Sequence, residues 1–136
     1  MTIPKLLVAC AMMWIAASAS AGVQVTRSIH YGPDDHQIVD VYRPDACRQR
    51  DCPVTLWVHG GGWKRGDTNN RQSTEMQTAW AENGIVMVGV NYRLAPEFRH
   101  PAQVQDVAAA IDWAVRHIGE HGGDSRRISL LGHSAR

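Results

Sequence analysis

Cysteine is scarce in this chain: there are three in 136 residues, Cys10, Cys47 and Cys52. No low-complexity tract and no internal repeat occurs, which excludes solenoid and other repeat architectures. No block of basic residues occurs either. The formal charge is +1, and the only charged residue among the first 21 is Lys5. The remaining acidic and basic side chains balance, so the footprint of a nucleic-acid binder or of an anionic-membrane binder is absent. The longest apolar run, Leu6 to Ala17, falls short of the roughly 20 residues a membrane-spanning helix needs. What is present is ordinary globular material, 44% hydrophobic and 20% charged. The length allows one domain at most.

Residues 1–21 differ in kind from the rest. One lysine, an apolar run and the small-x-small triplets Ala17-Ser18-Ala19 and Ala19-Ser20-Ala21 form the pattern a signal peptidase cleaves. The expectation is an exported protein, periplasmic or secreted, with a domain over residues 22–136 and no stable membrane span after cleavage. An uncleaved anchor is the alternative. Leu7-Val8-Ala9-Cys10 resembles a lipoprotein box but leaves too short an apolar core before it. Export would leave Cys47 and Cys52 alone in an oxidising compartment, where a disulfide is predicted. Closing so short a loop contributes about 2 kcal/mol in the chain-entropy model. A metal site at this pair would need two more ligands, and the surrounding sequence offers none.

Val23–Thr26 and Gln37–Tyr42 alternate as half-buried antiparallel strands do, with turn chemistry at Gly32-Pro33-Asp34-Asp35 between them. Val54–Val58, Ile85–Val90 and Ile128–Leu131 are nearly continuous apolar runs, the mark of strands covered on both faces. A helix is predicted over Asn70–Asn83 with Met76, Ala79 and Trp80 on its apolar side, stopped by Gly84. A second starts at Pro101 and places Val104, Val107, Ala108, Ile111, Val115 and Ile118 at helical spacing. The order β-β-β-α-β-α-β implies an α/β fold: an antiparallel start, then parallel strands joined by right-handed crossover helices.

Two motifs carry chemistry. His59-Gly60-Gly61-Gly62-Trp63 follows the first apolar strand directly. Three glycines let the backbone turn tightly and expose N–H groups that side chains would shield. Such donors can hold the oxyanion formed when a carbonyl carbon becomes tetrahedral, although a glycine triplet alone is equally a flexible turn. Gly132-His133-Ser134-Ala135 follows the last apolar strand. A serine on a sharp strand-to-helix turn is lifted clear of the sheet, and the next residue's N–H points at the same oxyanion. Either half alone is weak, and the pair is strong.

These residues resemble the N-terminal half of an α/β-hydrolase of the HGGG esterase/lipase type, the bacterial carboxylesterases similar to hormone-sensitive lipase. The resemblance runs from about Val23 to the end, through Tyr42-Arg43-Pro44, His59 to Trp63, Asn91-Tyr92-Arg93-Leu94-Ala95-Pro96-Glu97, His100-Pro101-Ala102, Gly122-Gly123-Asp124 and Gly132 to Ala135. It implies Ser134 as nucleophile, with Gly61, Gly62 and Ala135 as oxyanion donors. It further implies a small-molecule ester as substrate, an acyl-enzyme intermediate, and neither metal nor organic cofactor. An amidase such as a formamidase shares the fold and the glycine loop, so ester and amide stay open. A non-catalytic binding protein is an alternative of another class, and a functionless fragment a third. Oligomeric state is left open.

The remaining polar residues are read as structural. Asn91–Pro96 is expected to brace the sheet edge, Asp106 and Asp112 to sit on a structural helix, and His117 and His121 to be solvated. His59 is expected to orient the glycine loop. Two departures from the family pattern stand out: Arg136 occupies the last glycine of G-x-S-x-G, and the acid and histidine that follow the serine in α/β-hydrolases have no place in these 136 residues. The expectation is an α/β-hydrolase fold truncated after the nucleophile elbow, inactive by itself, with residues 128–131 as an exposed edge strand.

Overall fold

The computed structural model describes residues 22–48 and 51–134. The residues read as an export signal, with Cys10, and the terminal Ala135 and Arg136 lie outside them. Seven elements follow in the predicted order: β1 (Val23–His30), β2 (Ile38–Pro44), β3 (Cys52–Val58), α1 (Arg71–Glu82), β4 (Val86–Val90), α2 (Ala102–His117) and β5 (Gly123–Gly132), with a 3₁₀ turn at Ile118–His121 before β5.

The strands form one sheet in the order β1-β2-β4-β3-β5. β1 pairs with β2 and β2 with β4 antiparallel, whereas β3 runs parallel to both β4 and β5. The alternation of a strand assigns the two faces. Val54, Leu56, Val86, Val88 and Val90 share one core cluster with Ala110 and Ala114 of α2, and Tyr42 and Met87 join Ala81 of α1 with Trp57 packed alongside. The helices therefore cover opposite faces, which is why β3 and β4 read as unbroken apolar runs.

The helices bury faces that the apolar spacing did not indicate. In α1 the buried residues are Ser73, Gln77 and Ala81, while Ala79 and Trp80 are exposed and Met76 half-buried. A glutamine can be buried here because its amide donates to the carbonyls of Thr68 at 3.1 Å and Ser73 at 3.0 Å. In α2 the buried stripe is Gln103, Asp106, Ala110 and Ala114. Val104 and Val115 are half exposed, and Val107, Ala108 and Ile111 face an open apolar groove shared with Val58 and Leu130. Predicted Ile118 is buried.

β5 extends from Gly123 to Gly132, longer than the predicted run, and among the described strands it pairs only with β3. Most of its residues are exposed, Leu130 to 55%. A disulfide joins Cys47 to Cys52, their Cα atoms 5.6 Å apart, and ties the end of β2 to the start of β3.

Candidate active site

The register of the two parallel neighbours builds the site. Val58, the last residue of β3, pairs with Gly132, the last of β5, so the segments starting at His59 and His133 leave the sheet side by side. Ligand sites of α/β sheets lie at this carboxyl end of the strands. The His133 N–H donates to the Val58 carbonyl at 3.2 Å, and the Gly61 N–H to the Ser134 carbonyl at 3.4 Å. Gly60 lies against the backbone of His133.

Backbone strain concentrates here. Ser134 has φ 50° and Trp63 φ 62°, in the left-handed region that side-chain-bearing residues seldom occupy and that costs of order 1–3 kcal/mol each. Gly61 has φ 126°, and a side chain there would collide with the Arg65 carbonyl. Only glycine serves at that position. Gly61, Gly62, Lys64, Arg65 and Ser134 line one open depression. On its other side Ser134 borders a cleft of about 310 Å³ with Trp57, Asn70, Ser73, Met76 and His133. Ser134, Gly61 and Gly62 are thus brought together, while Ala135 lies outside the described residues.

His59 is almost fully buried, stacked on Tyr92 with ring centroids 4.4 Å apart and planes at 12°. Burial holds its pKa below the ordinary histidine value, against the raising effect of the Gly60 carbonyl. That carbonyl lies 2.8 Å from Nδ1 and can only accept, so the neutral ring carries its proton on Nδ1. His133 instead lies over Trp57, centroids 6.2 Å apart. Among the described residues no imidazole is hydrogen-bonded to the Ser134 hydroxyl, so none is placed as its base.

The other polar candidates occupy structural positions. Asp106, 1% exposed at its side chain, accepts from the Arg93 guanidinium at 2.6 to 3.1 Å, from the Arg93 N–H at 2.9 Å and from Gln37 at 2.7 Å. Burial pushes its pKa up, but the Arg93 and Gln37 hydrogen bonds prevail and leave it below the usual carboxylate value. Asp112 pairs with Arg116 on the exposed face of α2, and His117 faces Glu120 at 3.4 Å. Among the described residues no three His, Cys, Asp or Glu side chains gather as a metal centre requires. Sequence reasoning missed the reach of the Asn91–Pro96 segment, which braces the glycine loop itself: the Tyr92 hydroxyl donates to the His59 carbonyl at 2.7 Å. The signal available was its position directly after β4, the parallel neighbour of β3.

A mixed sheet with a glycine loop and a serine turn side by side at its carboxyl end is the arrangement of an α/β-hydrolase. The BD-FAE family profile matches residues 39–136, and the chain belongs to that family. Among curated proteins, esterase LipI of Mycobacterium tuberculosis is 42% identical over 96 residues, covering 70% of this chain and 30% of its own length. The kynurenine formamidase of Meyerozyma guilliermondii is 31% identical over 109 residues, covering 80% of this chain and 39% of that protein. Among solved structures, esterase B from Lactobacillus rhamnosis superposes with a TM-score of 0.73 at 28% identity, over 81% of this chain and 35% of that one. The chain spans about a third of the length of the relatives it matches.

Proposed function

We propose that these residues are the nucleophile and oxyanion side of a carboxylesterase active site. The observation that carries the reading is the pairing of Val58 with Gly132, which sets the glycine loop beside Ser134. In this reading Ser134 attacks the ester carbonyl, and the developing oxyanion takes hydrogen bonds from Gly61, Gly62 and Ala135 in place of the long Gly61 contact to the Ser134 carbonyl. The alkoxide leaves, and water hydrolyses the acyl-serine. Both steps need a base on Ser134 and later on water. The family places that histidine and its acid after the serine, so the 136 residues alone are expected to turn over several orders of magnitude more slowly than a full-length relative.

The cleft beside Ser134 gives one limb of the ester a place to lie. The formamidase relative favours a second reading, cleavage of a formyl amide, since the same oxyanion donors serve either carbonyl. Export is supported by the small-x-small triplets after the apolar run and is in keeping with the Cys47–Cys52 disulfide.

The test is a fusion of residues 22–135 to the part of LipI that follows its own counterpart of Ala135. It is assayed with p-nitrophenyl esters and an N-formyl arylamine, beside the 136-residue protein and Ser134→Ala. Hydrolysis by the fusion that vanishes in Ser134→Ala is the expected result. Equal activity of the fusion with and without the serine refutes the assignment.

A further inference from the structure

Tyr92 lies in the loop that follows β4, far from the glycine motif in sequence, yet touches it at three points. Its hydroxyl donates to the His59 carbonyl at 2.7 Å, its ring stacks on His59, and its edge meets Trp63 with centroids 5.1 Å apart. The residue is 1% exposed, and burial pushes its phenol up to about 12, so the hydroxyl keeps the proton it donates across the physiological range. Three residues on, the Ala95 N–H donates to the Trp63 carbonyl at 2.9 Å. The two carbonyls at the ends of the glycine loop, those of His59 and Trp63, are therefore both held by the 92–95 segment. Gly66 also lies close to the His59 ring: a Cβ there would come within 2.4 Å of both Nδ1 and the Gly60 carbonyl.

The segment that does the holding is itself anchored. Asp106 of α2 grips both the Arg93 N–H and its guanidinium, one residue from Tyr92. Trp63 remains in its strained conformation, φ 62°, because its carbonyl and its ring each have a fixed partner. Between these two held carbonyls, the Gly61 N–H points to the serine turn, donating to the Ser134 carbonyl at 3.4 Å.

We propose that Tyr92 is a positioning residue for the oxyanion loop, holding residues 59–63 in the conformation that presents the Gly61 and Gly62 amides to the serine turn. The inference rests on the esterase reading for its purpose, while its structural content stands apart from catalysis. It differs from a packing role in one respect: the hydroxyl oxygen is the decisive atom.

The experiment therefore removes that atom alone. Tyr92→Phe keeps the ring, its stack on His59 and its contact with Trp63. In ¹⁵N-labelled protein, the amide resonances of residues 59–66 are expected to shift or split while those of β2 and β4 stay in place. In the fusion described above, kcat is expected to fall at least tenfold with KM changed less than threefold, because a misaligned oxyanion loop weakens the transition state more than substrate binding. Loop resonances that match the parent overturn the proposal, and so does an active fusion whose kcat is unaltered. Altered loop resonances in a fusion that hydrolyses nothing, before or after mutation, uphold the positioning of the loop and remove the esterase reading instead.

Discussion

A methyl group at Gly60 tests the convergence of the two loops directly. A Cβ there would lie 2.5 Å from the His133 carbonyl oxygen and 3.1 Å from the Ser134 Cβ. Ordinary contact for a Cβ begins at 3.4 Å, so about 0.9 Å of relief must be found. The first obstacle is backbone, and the His133 N–H is already committed to Val58; a rotamer change cannot absorb the clash. Gly60→Ala should therefore push the serine turn away, with a stability loss of about 1–3 kcal/mol, the usual range for overpacking. A displacement near 1 Å at a reacting atom costs on the order of 100-fold in rate. Gly84→Ala is the control. It imposes a side chain at φ 86° with open space around it, which destabilises by about 1 kcal/mol through backbone strain and lies away from the site. The assay pairs urea unfolding of both variants with the rate at which Ser134 in the fusion is labelled by a phosphonate. Comparable stability losses are expected, with slowed labelling in Gly60→Ala only. Parent-rate labelling of Gly60→Ala would show that the loops do not meet as described.

Asp106→Ala should destabilise by about 1–3 kcal/mol, since it strands a partly exposed guanidinium together with an amide donor and a backbone N–H, and Asp106→Asn by less; chemical denaturation measures both. Because the folded carboxyl titrates below its unfolded value, its contribution is complete above the unfolded pKa near 4 and is lost as pH falls further through the folded value. An acid unfolding midpoint in Asp106→Asn no different from the parent would contradict this account. Replacing Cys47 and Cys52 together by serine should lower stability by about 2 kcal/mol, seen as a reduced urea midpoint under oxidising conditions and no difference under reducing ones.

The strand runs Val54–Val58 and Ile85–Val90 announced their burial because helices on both faces leave no polar side to the sheet. The element order followed from the spacing of those runs. The faces of the helices did not follow. Apolar periodicity selected Ala79 and Trp80 in α1, yet the buried residues are Ser73, Gln77 and Ala81, with Gln77 admitted because Thr68 and Ser73 lie within reach of its amide. In α2 it selected Val104 and Val115, whereas Asp106 lies inside because Arg93, Gln37 and a backbone N–H converge on it. A buried polar group is recognised by its partners, and these lie on other elements.

The candidate site divides along the same line. Short-range patterns were enough to mark a glycine turn after one apolar strand and a serine turn after another, since each depends on local backbone freedom and on the strand before it. That the two turns emerge side by side was decided by the pairing of Val58 with Gly132, and that the glycine loop is held from behind by Tyr92 was decided by the parallel pairing of β3 with β4. Contacts between residues distant in the chain cost loop-closure entropy and form only when a whole sheet is assembled at once. Local sequence therefore specified the parts, and the cooperative packing of the sheet specified which of them touch.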